Sequence, residues 1–167
     1  MTLIELLVTM AILAILLAVG IPMYQSVTTQ TRIKGEMFSL LSDINFARSE
    51  AIKRGQPVWV CSSSDGATCS DVGASSSDWG TGRLVYVDVT NSGLVNSPPA
   101  SSVLRVSPAL SHGDTFTGGT AIHIAQTGYE FMTGTASIHD AANNIGNRNC
   151  LSIVSGLAST STGAACP

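Results

Sequence analysis

The sequence predicts an α+β protein in which a long N-terminal α-helix packs on an antiparallel β-sheet head with two disulfide-closed loops. Residues 1–24 are almost entirely apolar and predict a transmembrane or filament-core helix. Residues 25–55 carry apolar side chains at steps of three and four, which predicts the amphipathic half of the same helix. Residues 56–167 contain short β-branched runs, turn residues and four cysteines, which predicts a β-rich globular head.

The apolar N-terminal segment carries one carboxylate, Glu5. No Lys or Arg precedes Arg32, and Pro22-Met23-Tyr24 is a poor cleavage site, so a cleaved signal peptide is disfavoured. An ordinary membrane anchor would leave the carboxylate unpaired in hydrocarbon, where ionisable groups are costly and usually functional. We therefore expect a helix that spans a membrane first and later packs against copies of itself. There the amine of Met1 on a neighbouring subunit would pair with Glu5.

The helical pattern continues beyond the apolar segment. Its stripe consists of Ile33, Met37, Leu40, Leu41, Ile44, Ala47 and Ala51. Charged residues are expected on the opposite face, namely Arg32, Lys34, Glu36, Asp43, Arg48, Glu50, Lys53 and Arg54. Cations in the last turn followed by Gly55 indicate a helix end. One helix is therefore expected from about Thr2 to Arg54.

Gly20 and Pro22 interrupt this helical pattern. Proline removes a backbone hydrogen bond, and glycine lowers the energy of non-helical dihedrals. One interpretation is a simple kink near a membrane boundary. The other is a segment, from about Ala14 to Met23, that is helical in the isolated chain and partly loses helix when the chain packs against copies of itself.

Five strands are predicted in the head, at residues 56–61, 82–89, 102–107, 121–126 and 150–155. Turns and loops are predicted between them, at residues 62–82, 90–100 and 159–165. The amphipathic half of the helix can bury its stripe against this sheet.

The four cysteines are Cys61, Cys69, Cys150 and Cys166. None of their spacings is the short one that is typical of zinc sites. An even number beside an apolar N-terminal segment favours disulfides in an oxidising compartment. Three pairings are possible, and the local one, Cys61–Cys69 and Cys150–Cys166, is the simplest because each pair brackets a turn-rich stretch.

The composition argues against catalysis and against nucleic acid as a ligand. Charged residues make up only 11% of the chain and the net charge is −3, so no basic field for DNA or RNA exists. The histidines, His112, His123 and His139, lack clustered carboxylate or cysteine partners in the sequence. We therefore expect no enzyme activity, no catalytic residues, no metal site and no cofactor.

Four cations are candidates for contact with DNA or with a neighbouring subunit. Arg48, Lys53 and Arg54 form a basic turn at the end of the helix, and Arg148 stands in the C-terminal region. A solvated helix face with dipole compensation is the simpler interpretation of the basic turn.

The stretch "TLIELLVTMAILAILLAVGIP" resembles the N-terminus of mature type IV pilins and pseudopilins, with the glutamate at position 5 and a proline at position 22. This resemblance implies that a prepilin peptidase removes a short leader and that Met1 becomes the N-methylated first residue. The chain is accordingly expected to be the processed form.

The middle of the chain resembles the FimT/GspH-type branch of these pilins. The resemblance rests on two stretches, "LLSDINFARSEAIKRGQPVWVCSSSDGATC" and "DWGTGRLVYVD". The second has Trp79, Gly82, Tyr86 and Asp88 at matching places. Members implicated in DNA uptake often carry Gly-Arg-x-Arg near the C-terminus. Here the matching stretch is "SGLAS", in which both arginines are missing.

The resemblance implies a structural subunit of a type IV pilus-like filament, either a pilus or a type II secretion pseudopilus. Its partners would be copies of itself or other pilins, membrane lipid before assembly, an inner-membrane assembly platform and the prepilin peptidase. The protein would move from the inner membrane to an extracellular or periplasm-spanning filament. A DNA-binding minor pilin of natural transformation is the alternative function, although nucleic acid is not expected as a ligand because the two C-terminal arginines of the DNA-uptake members are missing.

Overall fold

A computed structural model of the chain describes residues 2–70, 77–93, 96–110, 112–129, 134–154 and 157–163. The chain divides into two compact units, residues 1–32 and residues 33–167. The first unit is helical. The second contains the rest of the helix and two antiparallel β-sheets.

Helix α1 spans Leu3–Arg54, which confirms the single long helix. Pro22 lies inside it, and the helix is unbroken there in this single chain. Its C-terminus ends as expected, with Lys53 and Arg54 in the last turn and Gly55 in the left-handed region at φ 62°. Glycine adopts that backbone conformation at no steric cost, which makes Gly55 a suitable end for the helix.

The predicted apolar stripe is the buried face of α1. Six of its members are buried: Ile33, Met37, Leu40, Ile44, Ala47 and Ala51. The prediction that Asp43 and Glu50 lie on the opposite, solvated face is wrong, because both are buried. Charged side chains tolerate burial when ionic partners surround them, and both residues have such partners.

The head contains nine strands among its described residues. They are β1 Val58–Ser62, β2 Ser77–Asp78, β3 Arg83–Val87, β4 Val103–Ser107, β5 Thr115–Gly118, β6 Ile122–Ile124, β7 Gly134–His139, β8 Asn149–Val154 and β9 Leu157–Thr162. Sheet A has the order β4-β3-β1-β6, and sheet B has the order β2-β5-β7-β8-β9. All pairings are antiparallel.

The five predicted strands correspond to β1, β3, β4, β6 and β8. The prediction of a loop at residues 159–165 is wrong over residues 159–162, which belong to β9. Strands β2, β5 and β7 were also not predicted. Their Ser, Thr and Gly composition resembles that of turns, and pairing with neighbouring strands overrides this weak local preference.

One hydrophobic core joins α1 to the inner faces of both sheets. Strand β1 shows the alternation that creates it. Val58 and Val60 point into this core, whereas Cys61 points to a second, smaller cluster on the other face of sheet A. The second cluster contains Leu84 and Tyr86 of the neighbouring strand β3.

The Cys61–Cys69 disulfide is present, with a Cα–Cα distance of 5.7 Å, which confirms the first predicted bridge. Asp65 organises the loop that this bridge closes. Its carboxylate accepts hydrogen bonds from the backbone N–H groups of Thr68 at 2.7 Å and Ala67 at 2.9 Å. These bonds hold the pKa of Asp65 far below its usual range, so the loop stays organised at any physiological pH.

The second predicted bridge joins Cys150, which is buried on β8, to Cys166, which lies outside the described residues. We expect non-reducing peptide mapping of the full chain to yield one peptide linking Cys61 with Cys69 and a second linking Cys150 with Cys166. A peptide that links Cys69 to Cys166 would contradict the local pairing.

Removing the first bridge by Cys61→Ser and Cys69→Ser should destabilise the head by about 2–3 kcal/mol, as the short loop it closes implies.

Candidate functional site: the N-terminal segment and the head anchor

The N-terminus of α1 is closed by a reciprocal set of hydrogen bonds between Thr2 and Glu5. The Glu5 carboxylate accepts the backbone N–H of Thr2 at 2.7 Å and its hydroxyl at 3.3 Å. The Glu5 backbone N–H donates to the Thr2 hydroxyl at 3.4 Å. This arrangement is a capping box, in which Thr2 is the N-cap and Glu5 is the third helical residue.

The expectation that Glu5 has no partner outside an assembly is wrong, because the single chain already provides Thr2 as its partner. The Thr-x-x-Glu spacing signals this motif and could have been found in the sequence. Met1, the other half of the predicted pairing, lies outside the described residues.

The apolar part of α1 presents its side chains to the outside on every face. All residues from 2 to 28 are exposed in the single chain. The helix is long and apolar enough to cross a membrane by length and composition. Because Gly20 has open space where a Cβ would stand, no packing contact within the single chain explains its lack of a side chain.

A buried ionic cluster holds α1 to sheet A. Asp43 of α1 is 2% exposed and Arg83 of β3 is 1% exposed. The Arg83 Nε donates to Asp43 Oδ2 at 3.0 Å, and the Ser107 hydroxyl donates to the same oxygen at 2.8 Å. Arg105 Nη1 donates to Asp43 Oδ1 at 3.2 Å. We call these four residues the head anchor.

The cations of the head anchor have further contacts. Arg83 Nη2 donates to the Ser39 hydroxyl at 3.0 Å, and the guanidinium lies 5.8 Å from the centre of the Phe116 ring. The Arg105 guanidinium lies 4.0 Å from the centre of the Phe46 ring. Guanidinium groups bind carboxylates and aromatic faces together, which suits arginine to both positions of the head anchor.

The basic turn at the end of α1 is engaged within the chain. Glu50 Oε2 lies 2.6 Å from Arg54 Nε, and Glu50 Oε1 lies 3.5 Å from Lys53 Nζ. The hydrogen bond from Arg54 holds the pKa of the Glu50 carboxyl below its usual range. Arg48 Nε donates to the Gly128 carbonyl at 3.1 Å and so fixes the segment after β6.

Arg148 is distant in sequence from the basic turn and has different contacts. Its Nη2 donates to the Asn143 side-chain oxygen at 2.6 Å. The same loop is organised by Asp140, which accepts the Asn144 backbone N–H at 2.8 Å. These contacts give Arg148 a role in holding its own loop.

The four residues that match the FimT/GspH-type stretch have structural roles. They are Trp79, Gly82, Tyr86 and Asp88. Trp79 and Tyr86 are buried. Gly82 has φ 121°, and a Cβ there would lie 2.6 Å from the Ser63 carbonyl oxygen, so the close approach requires glycine.

Asp88, the last of these residues, closes the turn that follows β3. It accepts the backbone N–H groups of Gly93 at 2.7 Å and Ser92 at 3.1 Å. Burial raises the pKa of Asp88, but these hydrogen bonds outweigh burial and hold the pKa below its usual value.

Among the described residues, no group of three or more His, Cys, Asp or Glu side chains could hold a metal ion. Two described features therefore remain as candidates for a function. They are the exposed apolar helix with its capped carboxylate, and the head that the anchor joins to α1.

A long exposed apolar helix and a disulfide-bearing head of two antiparallel sheets are the features of a pilin-like protein. The family model described as "Type II transport protein GspH" matches residues 38–156. The chain therefore belongs to the GspH family, the branch of type IV pilins and pseudopilins that its sequence resembles. Among curated proteins, no match was found.

The fold is similar to that of the type IV minor pilin FimU of Pseudomonas aeruginosa strain PAO1. One crystal form of that protein matches with a TM-score of 0.55 and 17% identity, covering 83% of this chain and 96% of FimU. A second form matches with a TM-score of 0.56 and 18% identity, covering 87% and 97%. At this identity the similarity concerns the fold.

Proposed function

We propose that this chain is a structural subunit of a type IV pilus-like filament, a pilus or a type II secretion pseudopilus, and that it assembles through its N-terminal helix. One observation carries the proposal: residues 2–28 are exposed on every face, while the GspH-family head of the same chain has its own core. An apolar surface of that length must be covered by lipid or by neighbouring helices.

Before assembly, the inner membrane would cover this apolar surface. Lipid solvates the apolar side chains, so packing of neighbouring helices adds van der Waals contacts rather than a large hydrophobic gain. A polar contact is then the feature that can set the register between subunits. Glu5 supplies it in this proposal by exchanging its bonds to Thr2 for the Met1 amine of a neighbour.

Membership of the family supports the remaining proposed partners. A prepilin peptidase would process the N-terminus, and an inner-membrane platform would extract the helix into the filament. The head would form the outer surface of an extracellular or periplasm-spanning fibre. The proposed role is structural and requires no cofactor.

Electron microscopy of sheared filaments, combined with mass spectrometry of their subunits, tests this function. We expect the chain in the filament fraction with a methylated Met1 as its first residue. Its abundance relative to the other subunits gives its share of the filament. A chain that stays wholly in the membrane fraction while filaments form normally without it would overturn the proposal.

The alternative of a DNA-binding minor pilin has no observation in its favour. Its candidate cations, Arg48, Lys53, Arg54 and Arg148, all have contacts inside the chain. DNA affinity grows with the number of phosphates that cations neutralise, and these contacts compete with phosphate. We therefore do not propose DNA binding.

We predict that residues from about Ala14 to Met23 partly lose helix when the subunit enters the filament. Pro22 cannot donate a backbone hydrogen bond, and neighbouring helices would shield the freed carbonyl groups. An extended residue spans about 3.3 Å and a helical one about 1.5 Å, so melting about eight residues adds roughly 14 Å.

A filament map at side-chain resolution would check this prediction, and the isolated subunit in lipid is the control that should keep its unbroken helix. Continuous helix from Thr2 to Arg54 in the filament would contradict it. Filaments of a Pro22→Ala subunit with unchanged geometry and extensibility would contradict it as well.

A further inference from the structure

Strand β9 is the outermost strand of sheet B. Its six residues, Leu157–Thr162, include no charged residue and no proline. The side chains of residues 159–162 are exposed. Natural proteins usually protect such edges with charges, proline, bulges or short strands, because an open edge can pair with another chain.

The register of the β8–β9 pair shows which backbone groups of β9 face outward. The Gly163 N–H donates to the Arg148 carbonyl at 3.2 Å, so these two residues form a hydrogen-bonded pair. Antiparallel pairs alternate between hydrogen-bonded and non-hydrogen-bonded types. Ser161 therefore bonds to β8, and the N–H and C=O groups of Thr160 and Thr162 point away from it.

The other edge strands of the described head are short or charged. Strand β2 has two residues and β6 has three. Strand β4 has five, and Arg105 lies in its middle. Among the described residues, β9 is thus the long uncharged edge of the molecule.

A groove runs beside this edge, between β9 and α1. Its volume is about 120 Å³, and its lining consists of Lys34, Met37, Phe38, Asn149, Thr160 and Thr162. Phe38 is 64% exposed, so an apolar ring lies open to solvent at this groove. The Lys34 ammonium is the charged group of this lining.

We propose that β9 receives an extended segment of a different subunit of the same filament, which adds a strand to sheet B. The added segment would bond to the outward groups of Thr160 and Thr162, cover Phe38 with an apolar side chain and place a carboxylate near Lys34. This inference rests on the proposed function.

A second copy of the chain that pairs through its own β9 does not fit this site. Among the described residues β9 is the edge strand that such a copy would offer, because the other edge strands are short or charged. Pairing of β9 with β9 makes a two-fold contact, which closes on itself and cannot continue along a filament. A segment from a different subunit has no such restriction.

Amide hydrogen exchange on the full chain in detergent, and on filaments that contain it, tests the proposal. In the isolated chain we expect the amides of Thr160 and Thr162 to exchange roughly 100-fold faster than those of Ser159 and Ser161. In the filament the first two should become as protected as the last two. Unchanged exchange of Thr160 and Thr162 on assembly would overturn the proposal.

A proline substitution probes the same backbone groups. Thr160→Pro removes an outward N–H and leaves the bonds to β8, whereas Thr160→Ala keeps the N–H and is the matched control. We expect Thr160→Pro to lower recovery in sheared filaments about tenfold and Thr160→Ala to leave it unchanged. Protection of the β8 amides, measured on both variants, shows that the head remains folded.

A photo-crosslinking residue at position 160 identifies the occupant. Crosslinks to an extended segment of another filament subunit support the proposal. Crosslinks between two copies at position 160, or equal recovery of Thr160→Pro and Thr160→Ala, overturn it and leave the filament function standing. Absence of the wild-type chain from filaments overturns both.

Discussion

Replacing Asp43 by alanine is expected to lower the free energy of unfolding of the head by about 3–5 kcal/mol. The substitution leaves Arg83 charged and 1% exposed, without the carboxylate that accepts its Nε hydrogen bond. Arg105 and Ser107 lose the same acceptor. The penalty comes mainly from the uncompensated buried cation, because a charge removed from water without a partner is far more costly than a broken surface pair.

Chemical denaturation of the full chain, followed by the fluorescence of buried Trp79, measures this effect. Asn45→Ala is the control, since Asn45 is exposed on the same helical turn and its replacement should change stability by less than about 0.5 kcal/mol. The double variant Asp43→Leu with Arg83→Met removes both buried charges and should recover much of the loss. Equal stability of the Asp43→Ala variant and the Asn45→Ala control would contradict the importance of the anchor.

The head anchor also shows where the sequence was interpreted wrongly. Asp43 lies three residues after Leu40 and four before Ala47, so periodicity alone places it on the buried stripe. Its charge led to the opposite assignment. The partner arginines lie 40 and 62 residues further along, where Arg83 begins β3 and Arg105 interrupts β4. Such distant ionic pairs leave no local pattern that could reveal them.

The elements that were predicted are those with strong local signals. Helix α1 has a long periodic pattern with a glycine end, and β1, β3, β4, β6 and β8 contain β-branched runs. Strands β5, β7 and β9 form because each lies beside a partner in sheet B, and their Thr, Ser and Gly residues carry little information on their own. The division of the strands into two sheets also depends on tertiary contacts, which local sequence patterns do not reveal.

At the N-terminus, the spacing of two residues in the sequence is sufficient to predict the helix cap. Thr2 and Glu5 have the separation of a capping box, and the structure shows the expected hydrogen bonds. The carboxylate therefore has one partner in the single chain and a second, proposed partner in the filament. The two roles predict different responses to substitution.

Removing the charge of Glu5 is expected to lower incorporation into filaments by about 10-fold to 100-fold. A hydrogen bond to a charged group contributes about 1.5–3 kcal/mol, and each 1.4 kcal/mol corresponds to a factor of ten. Glu5→Ala removes both the charge and the cap. Glu5→Gln removes only the charge, because glutamine also completes a capping box. Both variants should remain folded and inserted in the membrane, since neither changes the head or the apolar surface.

Thr2→Val is the reciprocal variant, because it removes the hydroxyl of the cap and keeps the carboxylate of Glu5. If the charge acts on a neighbouring subunit, Thr2→Val should enter filaments far better than Glu5→Gln. Recovery of each variant in sheared filaments, relative to its amount in the membrane, measures the difference. Normal incorporation of Glu5→Gln would refute pairing with the Met1 amine. Equal losses for Glu5→Ala and Thr2→Val, with Glu5→Gln incorporated normally, would instead assign the carboxylate to the helix cap alone, because only the two variants that disturb the cap would then fail.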